Sequence, residues 1–162
     1  MVRIFLAVLF IFFGSQAYED FVQYEKGYYY VEIKKGSFKA VNAKLLEEIS
    51  SHGWDVIYTI NVDKTVGMKK PYKTHLLCKS SYLKQGIERF KPIGIIIPCK
   101  MAIFSDGNSI KIMVEDVTEY GDLYGKGNPE FRKMLYRVKE EMIDILNKTA
   151  GKFMKSRYTP YE

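Results

Sequence analysis

The sequence is poor in the residues from which most reaction centres are built. Of its 162 residues, two are cysteine, two histidine, one tryptophan and five proline. Two histidines leave little material for a nucleophile–base–acid triad, and no serine stands in a nucleophile-elbow pattern. The glycines at 121–127 spell GDLYGKG, one residue too short for a phosphate loop and lacking Ser or Thr after the lysine. Glu115, Asp116, Glu119 and Asp122 lack the calcium-loop spacing and its terminal glutamate. No internal repeat and no low-complexity run occurs. The apolar stretch at 4–13 falls short of the roughly 20 residues a spanning helix needs.

A composition of 47% hydrophobic and 27% charged residues suits one globular domain with a core of its own. Residues 1–17 stand apart. Arg3 supplies a short positive region, 4–13 is unbroken apolar, and Ser15-Gln16-Ala17 offers small residues at a cleavage spacing, the pattern of a secretory signal peptide. The expectation is a periplasmic or secreted protein, with a single α+β domain over 18–151, a flexible tail over 152–162 and no stable membrane span after cleavage. The formal charge is +6, to which the leader adds only Arg3. That mild excess favours encounter with anions. Export argues against nucleic acid as a partner, and Tyr28-Tyr29-Tyr30 reads as a tyrosine-rich strand.

Periodicity supplies the elements. Residues 18–26 show no period and read as a lead-in. A strand is expected at 28–33, followed by a helix capped by Ser37 with Val41, Leu45 and Ile49 on its stripe, closed by His52 and Gly53. Residues 54–62 alternate as a strand with Trp54, Val56, Tyr58, Ile60 and Val62 on one side. After a connection at 63–71, another strand reaches Cys78, and a helix runs from Ser80 or Ser81 to Phe90. The apolar stretch 93–104 predicts a long strand interrupted by Pro98, and Asp106-Gly107-Asn108 turns it into a returning strand over 109–114. A long acidic loop is expected at 115–128. The last helix begins at Pro129, carries Phe131, Met134, Leu135, Val138, Met142, Ile145 and Leu146 at helical spacing, and ends near Gly151. Interspersed strands and helices with one sure hairpin give an α+β fold: a mixed, largely antiparallel sheet with helices packed on it.

Gly36-Ser37-Phe38, Gly53-Trp54, Leu77-Cys78 before a helix, and the run Gly94-Ile95-Ile96-Ile97-Pro98-Cys99 together resemble the domain-of-unknown-function 302 family over about 36–106. The resemblance implies a compact α+β domain that forms a homodimer and has no established reaction. Where that family often has a proline after the first cysteine, this chain has Lys79-Ser80-Ser81.

Three chemistries remain open on the residues. Cys78 and Cys99 are an even pair in a disulfide-permissive setting, and a bridge between them would stabilise by about 3 kcal/mol. Alternatively Cys78, ahead of a helix N-terminus with Lys73, Lys79 and Lys100 nearby, is a reactive thiolate with Cys99 resolving. The third option is a soft-metal (copper) site from His75, Cys78, Cys99 and Met101, which strand parity opposes because His75 and Cys78 point to opposite faces. The leading expectation is a binding module without a cofactor. It takes a small ligand or an exported protein partner between the sheet and the acidic loop, with Tyr58, Tyr72 and Tyr82 as lining. Asn147-Lys148-Thr149 is a glycosylation sequon.

Overall fold

The computed structural model describes residues 20–96 and 99–154. The leader, Ile97, Pro98 and the end of the tail lie outside these. The elements in order are β1 (Gln23–Glu25), β2 (Tyr28–Ile33), α1 (Phe38–Ser51), β3 (Asp55–Asn61), α2 (Val62–Val66), β4 (Tyr72–Cys78), α3 (Ser80–Arg89), a 3₁₀ turn (Lys91–Ile95), β5 (Cys99–Asp106), β6 (Ser109–Glu115), α4 (Thr118–Tyr124) and α5 (Pro129–Met154). The strands form one six-stranded sheet in the order β1-β2-β6-β5-β4-β3, and every neighbouring pair is antiparallel. The expected α+β class stands.

Local chemistry explains the two helices that cover the sheet. At α1, the Ser37 hydroxyl accepts the Ala40 N–H at 3.2 Å. At its other end Gly53, at φ 72°, donates to Ser50 O while Trp54 N–H reaches Ile49 O, a Schellman closure that only a left-handed residue permits. That closure fixes where Trp54 enters the core. At α5, Asn128 Oδ1 accepts the Phe131 N–H at 3.0 Å and Pro129 occupies the first turn, where its missing N–H costs nothing.

Directly paired residues share a face, so the register sorts the sheet into two sides. One row reads Val31, Ile112, Ile103, Lys73, Asn61, and the next Tyr29, Val114, Met101, His75, Thr59. These face α1 and α5, whose Val41, Leu45, Ile49, Phe131, Met134, Val138, Met142 and Ile145 are all buried against them. Each such burial is worth about 1.5–3 kcal/mol. The other side reads Tyr30, Met113, Ala102, Thr74, Ile60, then Lys111, Phe104, Tyr72, then Lys100, Leu76, Tyr58, and none of these is buried.

Four elements differ from expectation. Residues 23–25 form an edge strand, joined to β2 by Lys26 and Gly27, both at positive φ. A bulge at Ile57 breaks the alternation of β3, so Val56 and Thr59 face the helices while Tyr58 and Ile60 face the open side. The first part of the expected long strand is the 3₁₀ turn, because Pro92 and Gly94 favour a turn and Ile93 lodges against Gly86. A Cβ at Gly86 would stand 2.2 Å from Ile93 Cδ1, so a larger residue at 86 would force the Ile93 side chain to move. The expected acidic loop contains α4, whose start is held by Asp116 Oδ1 accepting the Thr118 N–H at 3.0 Å. The sequon asparagine is buried, and its Oδ1 accepts the Phe21 N–H at 2.8 Å, which removes it from glycan chemistry in the folded chain.

Candidate functional site

Where α3, the 3₁₀ turn and α5 meet the end of β5, the helix-covered side leaves a pocket lined by Trp54, Lys79, Tyr82, Ile93, Ile96, Cys99, Val117, Met134, Leu135 and Val138. Its cavity is about 20 Å³, room for about one water molecule. The lining is apolar apart from a polar cluster built on Glu141. Trp54 Nε1 donates to Glu141 Oε2 at 2.7 Å, Lys79 Nζ to the same oxygen at 2.8 Å, and Tyr82 OH to Oε1 at 2.7 Å. Lys79 Nζ also donates to the His52 carbonyl at 2.8 Å and lies 5.8 Å and 5.3 Å from the ring centroids of Trp54 and Tyr82. Three donors from two segments, Trp54 after α1 and Lys79 and Tyr82 at the start of α3, thus converge on one carboxylate of α5.

The electrostatics follow from that convergence. Burial pushes the Glu141 carboxyl upward, but hydrogen bonds from Lys79, Tyr82 and Trp54 outweigh it and hold it below the usual carboxylate range. Burial first, and then the bond to Glu141, pushes the Tyr82 phenol up to about 12. Glu141 is therefore an anion at neutral pH and Tyr82 a fixed donor.

The structure distributes the sequence candidates differently from expectation. Both cysteines are free, which corrects the disulfide. Cys99 lies opposite Leu77 and faces the helices, whereas Cys78, one residue further along β4, lies opposite Asp55 and points to the other side. Burial and then Asp55 raise the Cys78 thiol, and burial pushes Cys99 up to about 12. The lysines expected to lower Cys78 are engaged elsewhere, Lys73 with Asn61, Lys79 with Glu141 and Lys100 with Glu115.

The metal quartet is split in the same way, since His75, Met101 and Cys99 share the covered side and Cys78 does not. Both ring nitrogens of His75 are also occupied, Nδ1 at 2.8 Å from Thr59 Oγ1 and Nε2 at 2.9 Å from Asn42 Oδ1. Burial, then Lys73, lowers its pKa to about 4, so it sits neutral in the core. Among the described residues no group of three or more His, Cys, Asp or Glu is placed to hold a metal ion.

The three tyrosines do not share a site. Tyr82 is in the pocket wall, whereas Tyr58 is exposed on the open side and Tyr72 stacks on Phe104 there at 4.9 Å. Val117, just ahead of α4, lines the pocket, so the former acidic loop does contribute a wall. Sequence reasoning missed Lys79, Trp54 and Glu141 as a unit. The available signal was the chain's single tryptophan placed straight after a helix-ending glycine, which marks an indole N–H entering the core in need of a partner.

Among the described residues no helix is long and apolar enough to cross a membrane. No curated protein matches the chain. Among solved structures, the chain is similar to the crystal structure of an uncharacterized conserved DUF302 protein from Bacillus stearothermophilus, with a TM-score of 0.69 and 15% identity over 77% of this chain and 99% of that one. That likeness establishes the fold. The family described as "Domain of unknown function DUF302" matches residues 29–149, from β2 to within the last helix, well beyond the 36–106 stretch on which the resemblance was first legible. The chain belongs to the DUF302 family.

Proposed function

We propose that this protein is a non-catalytic binding module that takes a small, largely apolar ligand in the pocket between β5, α3, the 3₁₀ turn and α5. The observation that carries the reading is the pocket's composition: apolar walls of Ile93, Ile96, Val117, Leu135 and Val138 beside the polar Glu141 cluster. Ligand sites commonly combine these two features. At about 20 Å³ the cavity admits a ligand only when its walls part. Met134, unbranched and pliable, is the wall residue best suited to that. The groups a thiol or metal mechanism would use are raised, split or occupied, which favours binding over chemistry.

Export and self-association complete the proposal. The 1–17 leader would deliver the module to the periplasm or the exterior, and two copies would pair through the open sheet side, where Tyr58, Tyr72, Phe104 and Met113 lie uncovered. Sedimentation equilibrium should give twice the chain mass, and Tyr58→Lys should shift it toward one chain. A single-chain mass for the unaltered protein removes the dimer.

The ligand site is tested through Trp54, the single tryptophan. Titration with 1-hexanol should give a saturable fluorescence change that Val138→Phe abolishes while leaving far-UV circular dichroism intact. No saturable change in the unaltered protein, or an unaltered response in Val138→Phe, overturns the reading.

A further inference from the structure

The Lys79 ammonium is held as a bound ligand cation would be. It has one ionised carboxylate oxygen and one carbonyl oxygen at 2.8 Å each, with two aromatic rings within 6 Å. Trp54 and Tyr82 are tilted against each other at 5.7 Å, and both are nearly buried. Ring faces carry negative electrostatic potential, and a carboxylate beside them deepens it, so the enclosure is suited to positive charge. The same two rings also line the apolar pocket, where Lys79 itself forms part of the lining, and Glu141 is reached through the hydrogen bonds that these three side chains donate to it.

We infer that Trp54, Tyr82 and Glu141 form a cation site which Lys79 occupies from within the chain, and that the pocket's ligand is an amine whose ammonium group displaces that of Lys79 while its apolar tail enters the pocket. The inference rests on the binding reading above and names the ligand's polar end. An anionic ligand replacing Glu141 is the opposite reading, and the geometry disfavours it. Glu141 lies within α5 and is gripped by three donors, and a new anion would face the π-clouds. Lys79 sits at the β4–α3 junction on a flexible four-carbon stem with its side chain 22% exposed, so it can swing its charge into water.

The experiment uses three probes of equal tail length, n-hexylammonium, 1-hexanol and hexanoate, followed by Trp54 fluorescence. Lys79→Met empties the cation position while keeping an apolar stem. In that variant n-hexylammonium should bind about tenfold or more tightly than 1-hexanol, and more tightly than in the unaltered protein. Adding Glu141→Gln should erase the preference. Equal binding of 1-hexanol and n-hexylammonium, or tighter binding of hexanoate, overturns the cation site and leaves the pocket standing. Binding of none of the three, in any variant, overturns both. If Lys79→Met loses its thermal transition, Lys79→Gln carries the same comparison.

Discussion

Ile103 and Phe104 are neighbours on β5 and face opposite ways. Ile103 is fully buried among the helix side chains, while Phe104 is only half-buried and stacks on Tyr72 on the open side. The two sides of the sheet have similar apolar content but different surroundings. The covered side is closed by α1 and α5, and it encloses the pocket and brings Lys79, Trp54 and Tyr82 together on Glu141. The open side offers area without enclosure. Area suits a second protein surface, and enclosure suits a small molecule.

The largest effect expected to sharpen this contrast comes from paired truncations on β5. Ile103→Ala should cost about 2–5 kcal/mol, the transfer and cavity cost of a buried aliphatic side chain, whereas Phe104→Ala should cost about 1 kcal/mol, the order of one aromatic pair. Urea unfolding curves of the two variants measure both, and equal losses would mean that the open side is covered after all.

On the covered side, acid acts through His75. His75 is neutral when folded, with its pKa lowered from 6.5 to about 4 by burial and then by Lys73. The unfolded chain therefore binds a proton that the native state refuses. The associated stability is complete above pH 6.5 and is lost as pH falls toward 4, by roughly 3 kcal/mol in all. The slope of unfolding free energy against pH in this window should be shallower in His75→Gln. An unchanged slope would show that His75 is not a buried neutral side chain.

The smallest effect concerns the cysteines. With Cys78 and Cys99 on opposite sides and both thiols raised, Cys78→Ser should shift stability by less than about 0.5 kcal/mol. Alkylation without reductant should modify Cys78 slowly and Cys99 only after unfolding. A protein that resists alkylation even when unfolded, until it is reduced, would restore the bridge.

These outcomes also bear on what was readable in the sequence. The helices α1 and α5 were legible because Val41, Leu45 and Ile49, and Phe131 through Leu146, repeat at helical spacing between good caps. The β5–β6 hairpin was legible from Asp106-Gly107-Asn108. The bulge at Ile57 was not, because Trp54, Val56, Tyr58 and Ile60 alternate without a break and only pairing with β4 reveals the extra residue. The 3₁₀ turn was hidden in a run of isoleucines that strand formers share, and its reason, the notch at Gly86, lies in another element. The disulfide failed on parity, since Cys99 pairs with Leu77 rather than with Cys78. The Glu141 cluster was illegible because Lys79 and Glu141 lie 62 positions apart and each, taken singly, reads as an exposed charge.

The most direct test of the central claim, that the covered side holds the ligand site, is methyl NMR during a titration with 1-hexanol. The account predicts saturable shifts at Ile93, Val117, Leu135 and Val138, and none at Ala102, Ile60 and Leu76. Shifts confined to the open side would contradict it.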